Sequence, residues 1–128
     1  GSCGLTCDWS PNDGPNFVAL LAEFRKQLNA ISKTTGRYYT LHAASPAGFN
    51  HYEPMPLGKM HEHLDTIGLM AYDMHGAWET RTNFNAPLYG SPNDPSLPPY
   101  NNLNVDFAIR AYLQAGVPAN KLVMGIPF

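Results

Sequence analysis

A chain of 128 residues with 44% apolar and only 14% charged residues has the composition of a folded globular domain, not of a disordered segment. Its formal net charge of −2 offers no basic footprint for nucleic acid. No uninterrupted apolar run approaches the roughly 18 residues of a membrane span.

The chain opens on Cys3 and Cys7, with a possible strand before Asp8. On one strand, residues four apart share a face but lie roughly 13 Å apart at about 3.3 Å per residue. A disulfide needs Cα atoms within about 7 Å, so two free thiols are expected. Residues 17–31 place Phe17, Leu20, Leu21, Phe24, Leu28 and Ile31 on one helical stripe, with Asn16 as N-cap and Gly36 as the stop. Arg25 and Lys26 read as solvated charges on that helix, as does Lys59 on the next. Residues 38–45 predict a strand stopped by Pro46, and Leu57–Leu64 a short helix. Within that helix His61 and His63 sit at i and i+2 and face different sides, so they do not form the i, i+4 pair of a helical zinc site. Residues 66–73, apolar until their last two positions, predict the next strand. A loop rich in Pro, Asn and Gly follows, to about Asn102. Asn104 then caps a helix with Val105, Ala108, Ile109, Tyr112 and Leu113 inward, stopped by Gly116 and Pro118. Residues 121–127 predict a last strand.

Strands alternating with helices mean βα units and a parallel sheet. Two closures fit: a doubly wound sheet, or part of a (β/α)8 barrel. A complete barrel takes about 250 residues, so this chain would supply about half of one, cut at both ends. In either closure, ligands bind at the carboxyl ends of the strands. There the sequence places Asp8-Trp9 and Tyr72-Asp73, acids beside aromatics. That pairing suits a sugar, whose hydroxyl and amide groups bond carboxylates while its flat face stacks on a ring. On pattern alone a second reading stays open, in which Trp9 and Tyr72 are core aromatics and the two aspartates cap turns.

Five ordered motifs narrow the choice. "AASPAG" (Ala43–Gly48), "LMAYDMHGAW" (Leu69–Trp78), "NAPLY" (Asn85–Tyr89), "LNVDFAI" (Leu103–Ile109) and "KLVMGIPF" (Lys121–Phe128) resemble glycoside hydrolase family 18, its chitinases and chitinase-like lectins above all. The resemblance runs from about Asn16 to Phe128. It implies an α/β chain forming a partial (β/α)8 barrel, from about strand 4 to strand 7, so that residues 1–128 are one piece of a single catalytic barrel. It implies hydrolysis of β-1,4-linked N-acetylglucosamine polymers with retention of configuration, the substrate's own acetamido group acting as nucleophile. It implies no cofactor and no metal. The partner would be chitin or N-acetylglucosamine oligosaccharides, with neither nucleic acid nor membrane, and the protein would be secreted.

The resemblance also assigns roles. Tyr72 would hydrogen-bond the acetamido oxygen, and Asp73 would bind hydroxyl or amide groups near the cleaved bond. Met70 would line the pocket floor, Ala44 would border the acetamido pocket, and Trp78 would stack under the sugar on the leaving-group side. The family's acids come from D-G-x-D-x-D-W-E at the end of strand 4. Here that stretch reads Cys3-Gly4-Leu5-Thr6-Cys7-Asp8-Trp9-Ser10. Asp8 and Trp9 match, Cys3 and Thr6 replace the first two acids, and Ser10 stands at the catalytic Glu. A tyrosine expected before Pro11 is also missing. A serine hydroxyl does not serve as a general acid near neutral pH. The chain as written is therefore expected to be inactive, although its family is one of hydrolases. The alternative is a catalytically inactive chitin-binding lectin.

Overall fold

The computed structural model describes residues 6–128. Three parallel strands form its sheet in sequential order: β1 (His42–Pro46), β2 (Thr66–Met70) and β3 (Leu122–Met124). Ala44 of β1 pairs with Gly68 of β2, which pairs with Val123 of β3, and Pro46 pairs with Met70. Helix α1 (Asp13–Thr35) precedes β1, the single-turn helices α2 (Phe49–Tyr52) and α3 (Leu57–Met60) lead to β2, and α4 (Val105–Gln114) leads to β3. A 3-10 turn at Tyr100–Asn102 precedes α4.

Period-2 alternation gives the sheet two unlike faces. Ser45, Ile67, Leu69 and Ala71 are buried on the helix side. There they meet Met60, Leu64, Val105, Ala108 and Tyr112. Tyr112 joins helix to strand: its hydroxyl donates to the Pro46 carbonyl at 2.7 Å and pairs with Ser45 Oγ at 2.7 Å. Burial pushes its pKa up to about 12, with the Ser45 bond opposing. On the other face Ala44 and Val123 are exposed and Met70 is partly so.

At the amino end of the sheet, one carboxylate gathers three partners. Asp65, just before β2, accepts hydrogen bonds from Arg25 of α1, the Tyr38 hydroxyl and the Leu41 N–H, the last at 2.7 Å. Burial opposes its ionisation, but these bonds and the Arg25 charge outweigh it and hold its pKa at about 2. Lys121 closes the same end by donating to the His61 and Leu64 carbonyls at 2.6 and 2.7 Å.

Several expectations need correction. Arg25 is not a solvated charge: its side chain is 15% exposed and also donates to the carbonyls of Tyr39 and His63. Helix α1 starts at Asp13, earlier than an Asn16 cap would allow, although Gly36 ends it in the left-handed conformation (φ 69°) as expected. Of its predicted stripe only Leu21 is buried, while Leu20, Phe24 and Ile31 are about half exposed. The strands are shorter than predicted, with Pro46 inside β1 and not beyond it. Asn104 does cap α4, its side-chain oxygen accepting from the Phe107 N–H at 2.9 Å, but Leu113 is exposed. Cys7 is disulfide-bonded, not a free thiol. Residues 7–10 carry no regular structure, so the spacing of an extended strand does not apply to them. Cys3 and most of the possible strand before Asp8 lie outside the described residues.

Candidate active site

Where β1 and β2 end, the chain turns outward and a cavity of about 510 Å³ opens at the carboxyl edge of the sheet. From β2 and the loop after it come Met70, Tyr72, Asp73 and Trp78, four residues singled out in the sequence. From the end of β1 and α2 come Pro46, Ala47, Gly48, Asn50 and His51; Met74, Glu79, Tyr100 and Leu103 complete the wall.

The β2 end shows how a strand residue comes to face the cavity. Ala71 is buried on the helix side, so alternation turns Tyr72 to the open face. No hydrogen bond joins the Tyr72 hydroxyl to another described residue. Asp73 then takes φ 54°, a left-handed conformation uncommon outside glycine, and the chain leaves the sheet. Its carboxylate is exposed at the cavity edge. Beyond it, Trp78 lines the same cavity and is 67% exposed. The ring folds back over Gly76, where an added Cβ would lie 2.5 Å from ring carbons, so any side chain there would displace it.

The loop carrying Trp78 is braced from within. His75 is buried, and its Nδ1 meets both Glu79 carboxylate oxygens at 3.0 and 3.1 Å. Its Nε2 lies 3.4 Å from the Asn83 side-chain nitrogen, which also donates to Asp94 at 3.0 Å. An Nδ1–H tautomer satisfies both contacts. His75 thus bonds within the loop and does not line the cavity.

Other predicted residues stand apart. Ala44 is on the open face one layer below Met70 and is exposed, but Pro46–Gly48 form the cavity wall on that strand. Asp8 is exposed and outside the cavity lining. Ser10 lies just before α1: its Oγ accepts from the Asn12 N–H at 3.2 Å, and its own N–H donates to the Asp13 carboxylate at 2.9 Å. The second of these bonds engages the Asp13 carboxylate. His51, Glu79 and Tyr100 were not singled out. The adjacency of Glu79 to Trp78 was a signal available in sequence. Tyr100 reaches the cavity from the far end of a long loop, which no local pattern reports.

The arrangement is a groove with the carboxylates of Asp73 and Glu79, two phenols that bond to no described residue, Tyr72 and Tyr100, and the exposed Trp78 ring, suited to a neutral polyhydroxylated ligand with flat apolar faces. The family model of the glycosyl hydrolases family 18 matches residues 3–128. The chain is 38% identical over 133 aligned residues to Chitinase 1 of Aphanocladium album, covering 99% of this chain and 31% of that protein. Among solved structures it is similar to chitinase ChiA74 from Bacillus thuringiensis, with 42% identity and a TM-score of 0.88 over 95% of this chain and 19% of that one. It is also similar to the catalytic domain of psychrophilic chitinase B from Arthrobacter TAD20, with 37% identity and a TM-score of 0.89 over 98% of this chain and 30% of that one. The chain therefore spans less than a third of these relatives' length, and its sheet and helices are a partial (β/α)8 barrel.

Proposed function

The chain belongs to the glycosyl hydrolases of family 18, and from that premise we propose that it is one piece of a single barrel that binds and cleaves chitin. The reaction is hydrolysis of β-1,4-linked N-acetylglucosamine, with the substrate's acetamido carbonyl attacking the anomeric carbon. The observation that carries this reading is the convergence of Met70, Tyr72, Asp73 and Trp78 on one cavity at the carboxyl edge of the sheet. Trp78 stacks under the sugar on the leaving-group side, and Met70 floors the pocket. The Tyr72 hydroxyl, with no protein partner among the described residues, holds the acetamido oxygen as that group swings in. Asp73 binds hydroxyl or amide groups beside the cleaved bond. Asp8 belongs to the acid motif that a complete barrel brings to the same mouth. An extracellular setting accompanies this reading, and the disulfide at Cys7 suits an oxidising compartment. Among the described residues no helix is long and apolar enough to cross a membrane.

Ser10 favours a second reading, a barrel that holds the sugar without cutting it. Proton donation by a positioned acid contributes about 10²–10⁴-fold, and Ser10 offers in its place a hydroxyl bonded to the Asn12 N–H. One experiment separates the two. A complete barrel carrying residues 1–128 as written should release no chromophore from a chitobiose glycoside above a protein-free blank, yet should bind tetra-N-acetylchitotetraose. Restoring Thr6→Asp with Ser10→Glu should bring release back, making the first reading right for the family site. Turnover by the unrestored protein would overturn the assignment of Ser10 to the acid position. Absence of binding would overturn the sugar site itself.

A further inference from the structure

Asp73 is an exposed carboxylate on a left-handed residue, and a single side chain from a distant part of the loop holds it there. The Asn85 side-chain oxygen accepts from the Asp73 N–H at 3.2 Å, and its amide nitrogen donates to Asp73 Oδ1 at 2.9 Å. The same nitrogen donates to the His75 carbonyl at 3.3 Å, and the Asn85 carbonyl accepts from the Met74 N–H at 2.9 Å. We propose that Asn85 is a positioning residue for the sugar site: it fixes both the backbone and the carboxylate of Asp73 so that the other carboxylate oxygen faces the ligand. This rests on reading the cavity as a sugar site.

The chemistry requires a primary amide. Only Asn or Gln offers an acceptor for the Asp73 N–H and a donor for its carboxylate from one planar group, and Asn is the shorter. A left-handed conformation is unfavourable for a non-glycine residue unless its surroundings hold it. Three hydrogen bonds to Asp73 and Met74 from one residue do so. An aspartate rotating freely at an exposed loop would lose side-chain entropy on meeting a sugar hydroxyl; here Asn85 has already fixed it.

The test uses the complete barrel, read by the dissociation constant for tetra-N-acetylchitotetraose, with the Trp78 fluorescence as signal. Asn85→Ala should weaken binding about tenfold, the change corresponding to roughly 1.4 kcal/mol. Asn85→Asp is nearly isosteric but sets a carboxylate against the Asp73 carboxylate, so it should bind more weakly than Asn85→Ala. A purely space-filling role gives the opposite order. The double variant Asn85→Ala with Asp73→Ala should bind no worse than Asp73→Ala alone, because Asn85 acts through Asp73. If Asn85→Ala does not fold, the nearly isosteric Asn85→Asp carries the comparison with the parent. Binding within twofold of the parent in the folded Asn85 variants, or losses that add in the double variant, would overturn the assignment. A parent barrel that binds no tetrasaccharide would overturn the sugar site first and this role with it.

Discussion

Two aspartates bracket β2, and they live differently. Asp65, before the strand, is 24% exposed and takes hydrogen bonds from Arg25, Tyr38 and Leu41, drawn from helix, loop and the approach to β1. Asp73, after the strand, is exposed, and its carboxylate has one protein partner among the described residues, Asn85. At the amino end the carboxylate is consumed in joining elements that are distant in sequence. At the carboxyl end it is oriented and left open. The same asymmetry runs through the neighbours: Lys121 is spent on carbonyls at the amino end, while at the other the Tyr72 hydroxyl bonds to no described residue and Trp78 stands exposed. In a barrel the amino end carries stability and the carboxyl end carries ligands, and the difference between two identical side chains makes that division visible.

The largest effect would come from asking whether either end survives without the rest of a barrel. Residues 1–128 alone should not form a cooperative monomer. The open face exposes Val123 and part of Met70, and among the described residues β1 and β3 each present an unpaired edge to other chains. A margin of about 5–15 kcal/mol is smaller than the loss of half a core. Size-exclusion chromatography with denaturant titration checks this. A monomeric peak with one sharp transition would mean that the amino-end network suffices by itself.

Next in size is the network. In the complete barrel, Asp65→Asn should cost about 2–3 kcal/mol, since hydrogen bonds to a charged group are worth about 1.5–3 kcal/mol each and Arg25 would lose its partner. The pH dependence follows from the lowered pKa. The folded value is about 2 against an ordinary 3.8, so the contribution is full above about pH 4 and is lost as pH falls towards 2. Urea midpoints measured from pH 6 to pH 2 should fall through that window in the parent and stay flatter in Asp65→Asn. At pH 6, Asp73→Asn, whose carboxylate joins no second helix or strand, should move the urea midpoint less than Asp65→Asn does. Equal effects at the two aspartates would erase the contrast between the ends.

The two ends were not equally legible in the sequence. The carboxyl end was readable because a run of apolar residues stops abruptly on Tyr72 and Asp73, and strand alternation says which way each points. Asn104 and Gly36 were readable because capping chemistry is local. Arg25 was misread because its partner, Asp65, is 40 residues away and nothing in helical spacing reports a contact across the fold. Helix α1 was over-read for the opposite reason. Its apolar stripe is real, but Leu20, Phe24 and Ile31 have only part of a neighbouring surface to meet. Helix α2 was missed because one turn after Gly48 carries no periodicity to detect. Asn85 belonged to a recognised motif, yet its hold on Asp73 depends on a loop path that spacing does not encode.

The smallest effect is also the sharpest comparison, because one substitution at two tyrosines should move opposite readouts. Tyr112→Phe removes a buried hydroxyl bonded to Ser45 and the Pro46 carbonyl, and it leaves Ser45 buried without that partner. It should cost about 1–3 kcal/mol of folding free energy while the dissociation constant for tetra-N-acetylchitotetraose stays unchanged. Tyr72→Phe removes a hydroxyl that bonds to no described residue. It should shift stability by less than about 0.5 kcal/mol, as for surface changes that break no contact, yet weaken sugar binding and slow any restored hydrolysis. Thermal melts beside binding isotherms on the two complete barrels decide the matter. A large drop in melting temperature for Tyr72→Phe with binding intact would return Tyr72 to the core, and the division between the two ends of β2 would then rest on Asp73 alone.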